Sequence, residues 1–314
     1  GAGENADGFG VHYQESGPST IIRGCRAWWN SDDGYDFISQ EVPVTIENSY
    51  AYGSGYINSG AGTAGNGYGF KIGSSKTGIR HIVRNNVAWG CRASGFYANH
   101  TGGGNTWYNN TALNNGTQFN MLSSTWNGDT RTGDDVKLTG AKAHILRNNI
   151  GFPNKNTDMG TNFGTDDQFN TWNLNITPAA KDFVSVTAPS VGSGLLGPRQ
   201  ANGNPPNVDF LKLASGSAMI DKGTDVGLPY TGSAPDLGAY EYGAVTQARP
   251  QTAFSPAIAN RTGPELKLEG LARSGKSGVA DRRTAFYTIT GQRICPNGWN
   301  IGAGLLPGMY IEKQ

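Results

Sequence analysis

Charge, sulfur and long apolar runs are all scarce in this chain, and each scarcity excludes something. Only 16% of its 314 residues are charged and the formal net charge is +1, so nothing marks it as an electrostatic binder of nucleic acid. No apolar stretch is long enough to cross a bilayer as a helix, and no membrane span is expected. The long runs of Ala, Leu, Glu and Lys that build helical repeats are missing. Three cysteines, Cys25, Cys91 and Cys295, lack metal-ligand spacing. Cys25 and Cys91 fall at different points of the repeat described next, so they are expected as buried thiols rather than as a disulfide. The four histidines are scattered; His81 and His144 each open a short apolar segment and are expected to be structural.

What the chain has instead is glycine, 47 of 314 residues, together with many Asn, Thr and Ser. A Gly-aromatic dyad recurs as Gly8-Phe9, Gly34-Tyr35, Gly69-Phe70 and Gly95-Phe96, at intervals of 26, 35 and 26. A second series runs beside it: Arg23-Gly24-Cys25-Arg26-Ala27, Glu47-Asn48-Ser49-Tyr50-Ala51, Arg84-Asn85-Asn86-Val87-Ala88, Tyr108-Asn109-Asn110-Thr111-Ala112 and Arg147-Asn148-Asn149-Ile150-Gly151. Two motifs per unit, at a period of about two dozen residues, define a solenoid. Short alternating segments such as Thr45-Ile46-Glu47 and His81-Ile82-Val83 read as strands. The Asn-Asn and Gly-containing pairs between them tolerate the left-handed backbone of sharp corners. The expected fold is therefore all-β, a right-handed parallel β-helix whose Asn corners stack as hydrogen-bonded ladders.

The helix is expected over residues 1–242, with a longer excursion over 122–140 and looser coils after Phe152. Phe210-Leu211-Lys212-Leu213 and the run from Ala234 to Glu241 are expected to close its C-terminal end, where a solenoid must hide its core. Residues 243–264 suit a linker, and 265–314 a small C-terminal β module. The repeat is already under way at Gly1, where no export signal is visible. A preceding segment that caps the first coil is expected.

Aligning the units also aligns charges. Asp7 and Asp33 stand just before their dyads; Asp36 and Lys71 occupy the same slot just after theirs. Ser31-Asp32-Asp33-Gly34-Tyr35-Asp36 crowds three carboxylates, and neighbouring coils lie about 4.8 Å apart, so Asp7 joins them. Asp-Asp-Gly alone is a common turn. Four carboxylates in one place need a cation, and oxygen ligands on a rigid frame suit Ca²⁺ better than Mg²⁺. Lys71 either pairs with Asp36 or serves as a base. A lysine beside a divalent ion is a coherent arrangement for removing a proton alpha to a carboxylate, as at C5 of a uronic acid.

With those motifs in that order, the run from Asp7 to about Phe119 resembles polysaccharide lyase family 9, the parallel β-helix pectate lyases. The resemblance implies that Asp7, Asp32, Asp33 and Asp36 ligate a catalytic Ca²⁺ and that Lys71 is the Brønsted base. It also implies an acidic plant cell-wall polysaccharide as substrate, polygalacturonate or rhamnogalacturonan, cleaved by β-elimination. A monomer is expected. Lys76, Arg80, Arg84 and Arg92 are candidate cations for a polyuronate; Tyr97, His100, Trp28 and Trp29 are candidate sugar contacts. A non-catalytic, calcium-stabilised carbohydrate-binding β-helix is the alternative of a different class, and a β-helix glycoside hydrolase needing no metal is another. The tail, Tyr287-Thr288-Ile289-Thr290-Gly291-Gln292-Arg293-Ile294 with Leu306-Pro307-Gly308-Met309-Tyr310-Ile311, resembles C-terminal modules of secreted Bacteroidetes proteins. That implies a periplasmic, cell-surface or extracellular location and a sorting or attachment role.

Overall fold

The structure, a computed structural model, describes residues 3–57, 62–74, 79–128, 130–134, 136–153, 166–244, 286–287 and 293–294. Within it the chain winds through three parallel sheets in turn, one short strand of each per coil. The first sheet stacks Phe9–His12, Tyr35–Ile38, Phe70–Ile72, Ser94–Tyr97 and Thr117–Asn120. The second stacks Thr20–Arg23, Val44–Glu47, Ile82–Arg84, Thr106–Tyr108, Ile145–Arg147 and Asp166–Gln168. Arg26–Trp28, Tyr50–Tyr52, Val87–Trp89, Thr111–Leu113 and Ile150–Phe152 form the third. The expected parallel β-helix is present.

The repeated dyads are explained by what each coil does to the next. Phe9, Tyr35, Phe70, Phe96 and Phe119 stack through the core with successive ring centroids 5.0, 4.8, 4.9 and 4.9 Å apart. That matches the spacing of hydrogen-bonded strands, so ring contact and backbone pairing reinforce each other. The preceding residue has no room for a side chain. A Cβ on Gly8, Gly34 or Gly69 would sit 2.7, 2.7 or 2.6 Å from the next coil's glycine carbonyl oxygen.

The Asn-Asn pairs divide their labour. Asn85, Asn109 and Asn148 adopt left-handed backbone at the corner, φ 54°, 51° and 60°, a conformation Asn tolerates. Asn86, Asn110, Asn149 and Asn170 form the buried ladder: the Nδ2 of each of the first three donates to the Oδ1 of the next, at 3.1, 3.0 and 2.8 Å. Each also donates to a core carbonyl, such as Val83 O from Asn110 at 2.9 Å. Replacing Asn110 with Ala strands the Asn86 amides and the Val83 carbonyl in a dry interior. It is expected to cost about 2–4 kcal/mol, read as a lower urea midpoint at unchanged m-value.

Two departures from the regular period are antiparallel hairpins. Tyr56–Ile57 pairs with Gly62–Thr63, which lengthens one repeat, and Ser124–Asn127 pairs with Thr130–Asp134 within the expected excursion. Beyond Gln168 the chain leaves the ladder. Trp172 packs against the end of the core beside Phe119, while most of 180–240 lies along the outer face of the third sheet. There Tyr50, Val87, Trp89, Leu113 and Ile150 point away from the core and are covered by Phe183, Leu195, Phe210, Leu213, Met219 and Leu237. That face is apolar, so it needs cover along its length. The segment expected as an end cap supplies it.

Cys91 is buried and Cys25 half-buried, both as free thiols. His81 Nδ1 accepts from Val44 N at 3.1 Å, and His144 Nδ1 from Asn105 N at 2.9 Å; both rings are structural. Residues 1–252 form one compact unit and 253–314 another. In the second, Phe286–Tyr287 pairs antiparallel with Arg293–Ile294. The rest of the expected module, nearly all of the expected linker, and Cys295 lie outside the described residues. Among the described residues no helix is long and apolar enough to cross a membrane.

Candidate active site

Strand register builds the acidic cluster on the first sheet. Gly10 pairs with Asp36, Asp36 with Lys71, and Lys71 with Tyr97, so these four form one column of neighbours at strand spacing. Asp7 and Asp33 form the column before it: Asp33 N donates to Asp7 Oδ1 at 3.1 Å. Asp32 is fixed by backbone amides, accepting from Asn5 N at 2.8 Å and from Asn66 N. Asp33 Oδ1 accepts from Tyr68 N at 2.7 Å. Lys71 Nζ lies 3.0 Å from Asp33 Oδ2 and 3.1 Å from Asp36 Oδ2, and donates to Asn66 Oδ1 at 3.3 Å. All five sequence-predicted residues therefore meet in one place, and Asp32, Asp33, Asp36 and Lys71 are buried.

So many carboxylates with one ammonium are short of positive charge. Burial pushes Asp33 up to about 7 and Asp36 up to about 6, despite the Lys71 ammonium. Asp7 is raised too, chiefly by burial. For Lys71 burial disfavours the ammonium, but Asp33 and Asp36 outweigh it and push the amine up to about 12. Oxygens of Asp7, Asp32 and Asp33 lie within 4.8 Å of one another, and so do ligand atoms of Asp7, His12 and Asp36. Asp36 Oδ1 is buried with no hydrogen-bond partner, and Asp33 Oδ2 accepts none beyond its contact with the ammonium. Orphaned, buried carboxylate oxygens of this kind fit a hard cation such as Ca²⁺.

The remaining candidates are distributed differently. Tyr97 is buried and stacks on Tyr68 at 4.2 Å, next to the cluster. His100 packs edge-on to Tyr97 at 6.1 Å and faces Asp134 of the second hairpin at 3.6 Å. Arg92 donates to the carbonyls of Gly65 and Asn66, fixing the loop that brings Asn66 to Lys71. Arg80 and Arg84 belong elsewhere: Arg80 donates to Ala141 O and Ala143 O at 2.8 and 2.9 Å. Arg84 binds Glu47 on the second sheet, Nη2 at 2.5 Å. Trp29 packs against Tyr52 and Tyr56 at a third-sheet corner. Lys76 lies outside the described residues. Two neighbours of the cluster escaped sequence reasoning. His12 Nε2, 3.8 Å from Asp36 Oδ2, was signalled by its place two residues beyond Gly10 on the same strand face. Asn66 sits on a loop and carried no periodic signal.

A parallel β-helix bearing a buried carboxylate–lysine cluster on one sheet is the class that the geometry defines. Residues 1–133 match the Pel9A-like, right handed beta helix region. Pectate lyase L of Dickeya dadantii (strain 3937) is 36% identical over 242 residues, covering 76% of this chain and 52% of that protein. Among solved structures, the crystal structure of pectate lyase Pel9A gives a TM-score of 0.57 at 35% identity, covering 76% of this chain and 55% of that one. A rhamnogalacturonan lyase gives 0.57 at 30% identity, covering 68% and 53%. The chain spans about half the length of the curated Dickeya relatives it matches.

Proposed function

We propose that this chain is a calcium-dependent lyase of polysaccharide lyase family 9, cleaving galacturonate-containing pectic polysaccharide by β-elimination. The observation that carries the reading is Lys71 Nζ at 3.0 and 3.1 Å from two buried carboxylates of a cation-deficient cluster. Asp7, Asp32, Asp33 and Asp36 would hold the ion. When bound, it supplies positive charge that neutralises the uronate carboxylate next to the reacting carbon. Taking the ligand carboxylates out of their pairing with Lys71 also removes what holds its proton, so the amine becomes available as a base. Lys71 Nζ takes the C5 proton, the C5–H electrons form a C4=C5 double bond, and the C4–O bond to the next sugar breaks. The departing oxygen keeps the electron pair and is protonated by solvent. Asn66, which accepts from Nζ at 3.3 Å, holds the amine in position through this step. A binding-only β-helix has no use for an ammonium placed among the ligands of its ion.

Polygalacturonate is the favoured substrate, on the likeness to pectate lyases over three-quarters of the chain. Rhamnogalacturonan is the second reading, favoured by the comparable TM-score of the rhamnogalacturonan lyase. Such polymers lie outside the cell, so action in the periplasm, at the surface or in the medium belongs to the same proposal. Incubation with each polymer is expected to release products with the ultraviolet absorbance of a 4,5-unsaturated uronate, and a chelator to abolish it. Reducing ends without that absorbance, insensitive to chelator, would show a hydrolase instead.

A further inference from the structure

A cleft of about 780 Å³ lies at the corner between the second and third sheets, lined on one side by the β-helix and on the other by parts of the flanking segment 184–244. Its lining differs in kind from the acidic cluster. Arg23, Glu47 and Arg84 are register partners on successive coils of the second sheet. The one Glu47 carboxylate receives both guanidiniums, Arg23 Nε on Oε1 and Arg84 Nε on Oε2. Burial works against that carboxylate, but the two arginines hold it ionised below its usual range. Two cations on one anion leave one positive charge, to which Lys212 and Glu241, also in the lining, add one charge of each sign; both arginine side chains keep about a third of their surface exposed, 34% and 33%. Each guanidinium has five N–H donors, more than Glu47 takes.

The corner asparagines point the same way. In the later coils the flanking segment covers them: Asn109 Nδ2 donates to Asp236 O at 3.1 Å, and Asn148 Nδ2 to Thr224 O at 2.9 Å. The equivalent Asn48 and Asn85 line the cleft instead. Tyr230 and Tyr242, 43% and 42% exposed, line the same cleft and offer rigid flat faces with polar tips. Exposed tyrosine faces, side-chain amides and a surplus guanidinium charge together are complementary to a sugar that carries carboxylates.

We infer that this cleft is a second, non-catalytic binding site for an acidic oligosaccharide, with Tyr230 and Tyr242 as stacking faces and Arg23 and Arg84 as carboxylate contacts. It deepens the proposed function by giving the chain a hold on its polymer away from the reacting bond. The test uses the full chain, trigalacturonate and excess chelator, so that the acidic cluster carries no ion and nothing is cleaved. Calorimetry should show saturable binding. It should weaken about tenfold or more in the Tyr230→Ala/Tyr242→Ala variant and in Arg84→Gln. Lys71→Arg, which keeps the positive charge beside Asp33 and Asp36, should leave it unchanged. A neutral galactose trimer should bind at least about tenfold more weakly. Saturable binding is checked beside thermal melts, which the exposed tyrosine changes should not move. Absence of binding, equal binding by the double tyrosine variant, equal binding of the neutral trimer, or loss of binding in Lys71→Arg each overturns the inference. None of these outcomes depends on β-elimination, whose own assay reads the unsaturated product.

Discussion

Replacing Lys71 with alanine is expected to reduce product formation by about 10²–10⁴-fold, the scale of a positioned general base. The measurement belongs at saturating calcium, because the same change leaves Asp33 and Asp36 buried without the ammonium that now lies 3.0 and 3.1 Å from them. Without calcium the variant should lose stability, by about 3–5 kcal/mol if the pair behaves as other buried ones do; added calcium should restore it. Calcium affinity should be preserved or rise, since the amine is no ligand and its charge competes with the ion. Lys71→Arg should be nearly as inactive, because a guanidinium stays protonated. For the wild type, activity should climb as pH rises into the alkaline range, following the neutral fraction of the amine. Near-normal turnover by the arginine variant would assign proton abstraction to another residue.

The repeat of the solenoid makes this site legible in the sequence. A solenoid poses one steric problem per coil, and the solutions recur: Gly before the stacked ring, Asn at the corner, Asn in the ladder. Once the dyads are aligned, Asp36 and Lys71 share a slot before any coordinates are known, and the register pairs them directly. Proximity along the chain was a poorer guide. Arg80 and Arg84 follow Lys71 closely, but each coil turns through three sheets, so Arg84 emerges on the second sheet beside Glu47. Asn66 was invisible because a hairpin inserted into one repeat delivers it, and insertions carry no period. The flanking segment also left a trace in the sequence. The third-sheet pattern of large residues around Ala51, Ala88 and Ala112 marks a face that is apolar outside as well as inside.

Calcium affinity is expected to fall by about 10³-fold between pH 8 and pH 5, the product of two proton competitions if Asp33 and Asp36 titrate independently. The ion needs both carboxylates ionised, and in the ion-free cluster burial sets them at about 7 and about 6. Binding at pH 6 should therefore release protons, visible as a calorimetric heat that depends on the buffer's ionisation enthalpy. Stability follows with opposite signs from two groups of residues. Asp33 and Asp36 have raised folded-state values, so without calcium their contribution is present below about pH 4 and is lost as pH rises through about 6 and 7. His81 and His144 are buried neutral, with burial lowering them to about 4 and about 3. Their contribution is present above the usual histidine value and is lost as pH falls toward those numbers. In chelator the two trends offset each other across the mildly acidic range, and the melting temperature should change little there. With calcium the carboxylates are held ionised and their offset disappears, so the melting temperature should be highest near pH 8 and fall toward the chelated value by about pH 5. Asp33→Asn should remove most of the calcium-dependent rise, because it takes charge from the centre of the ligand set. A calcium effect on melting that is equal at pH 5 and pH 8 would place the ion somewhere other than this cluster.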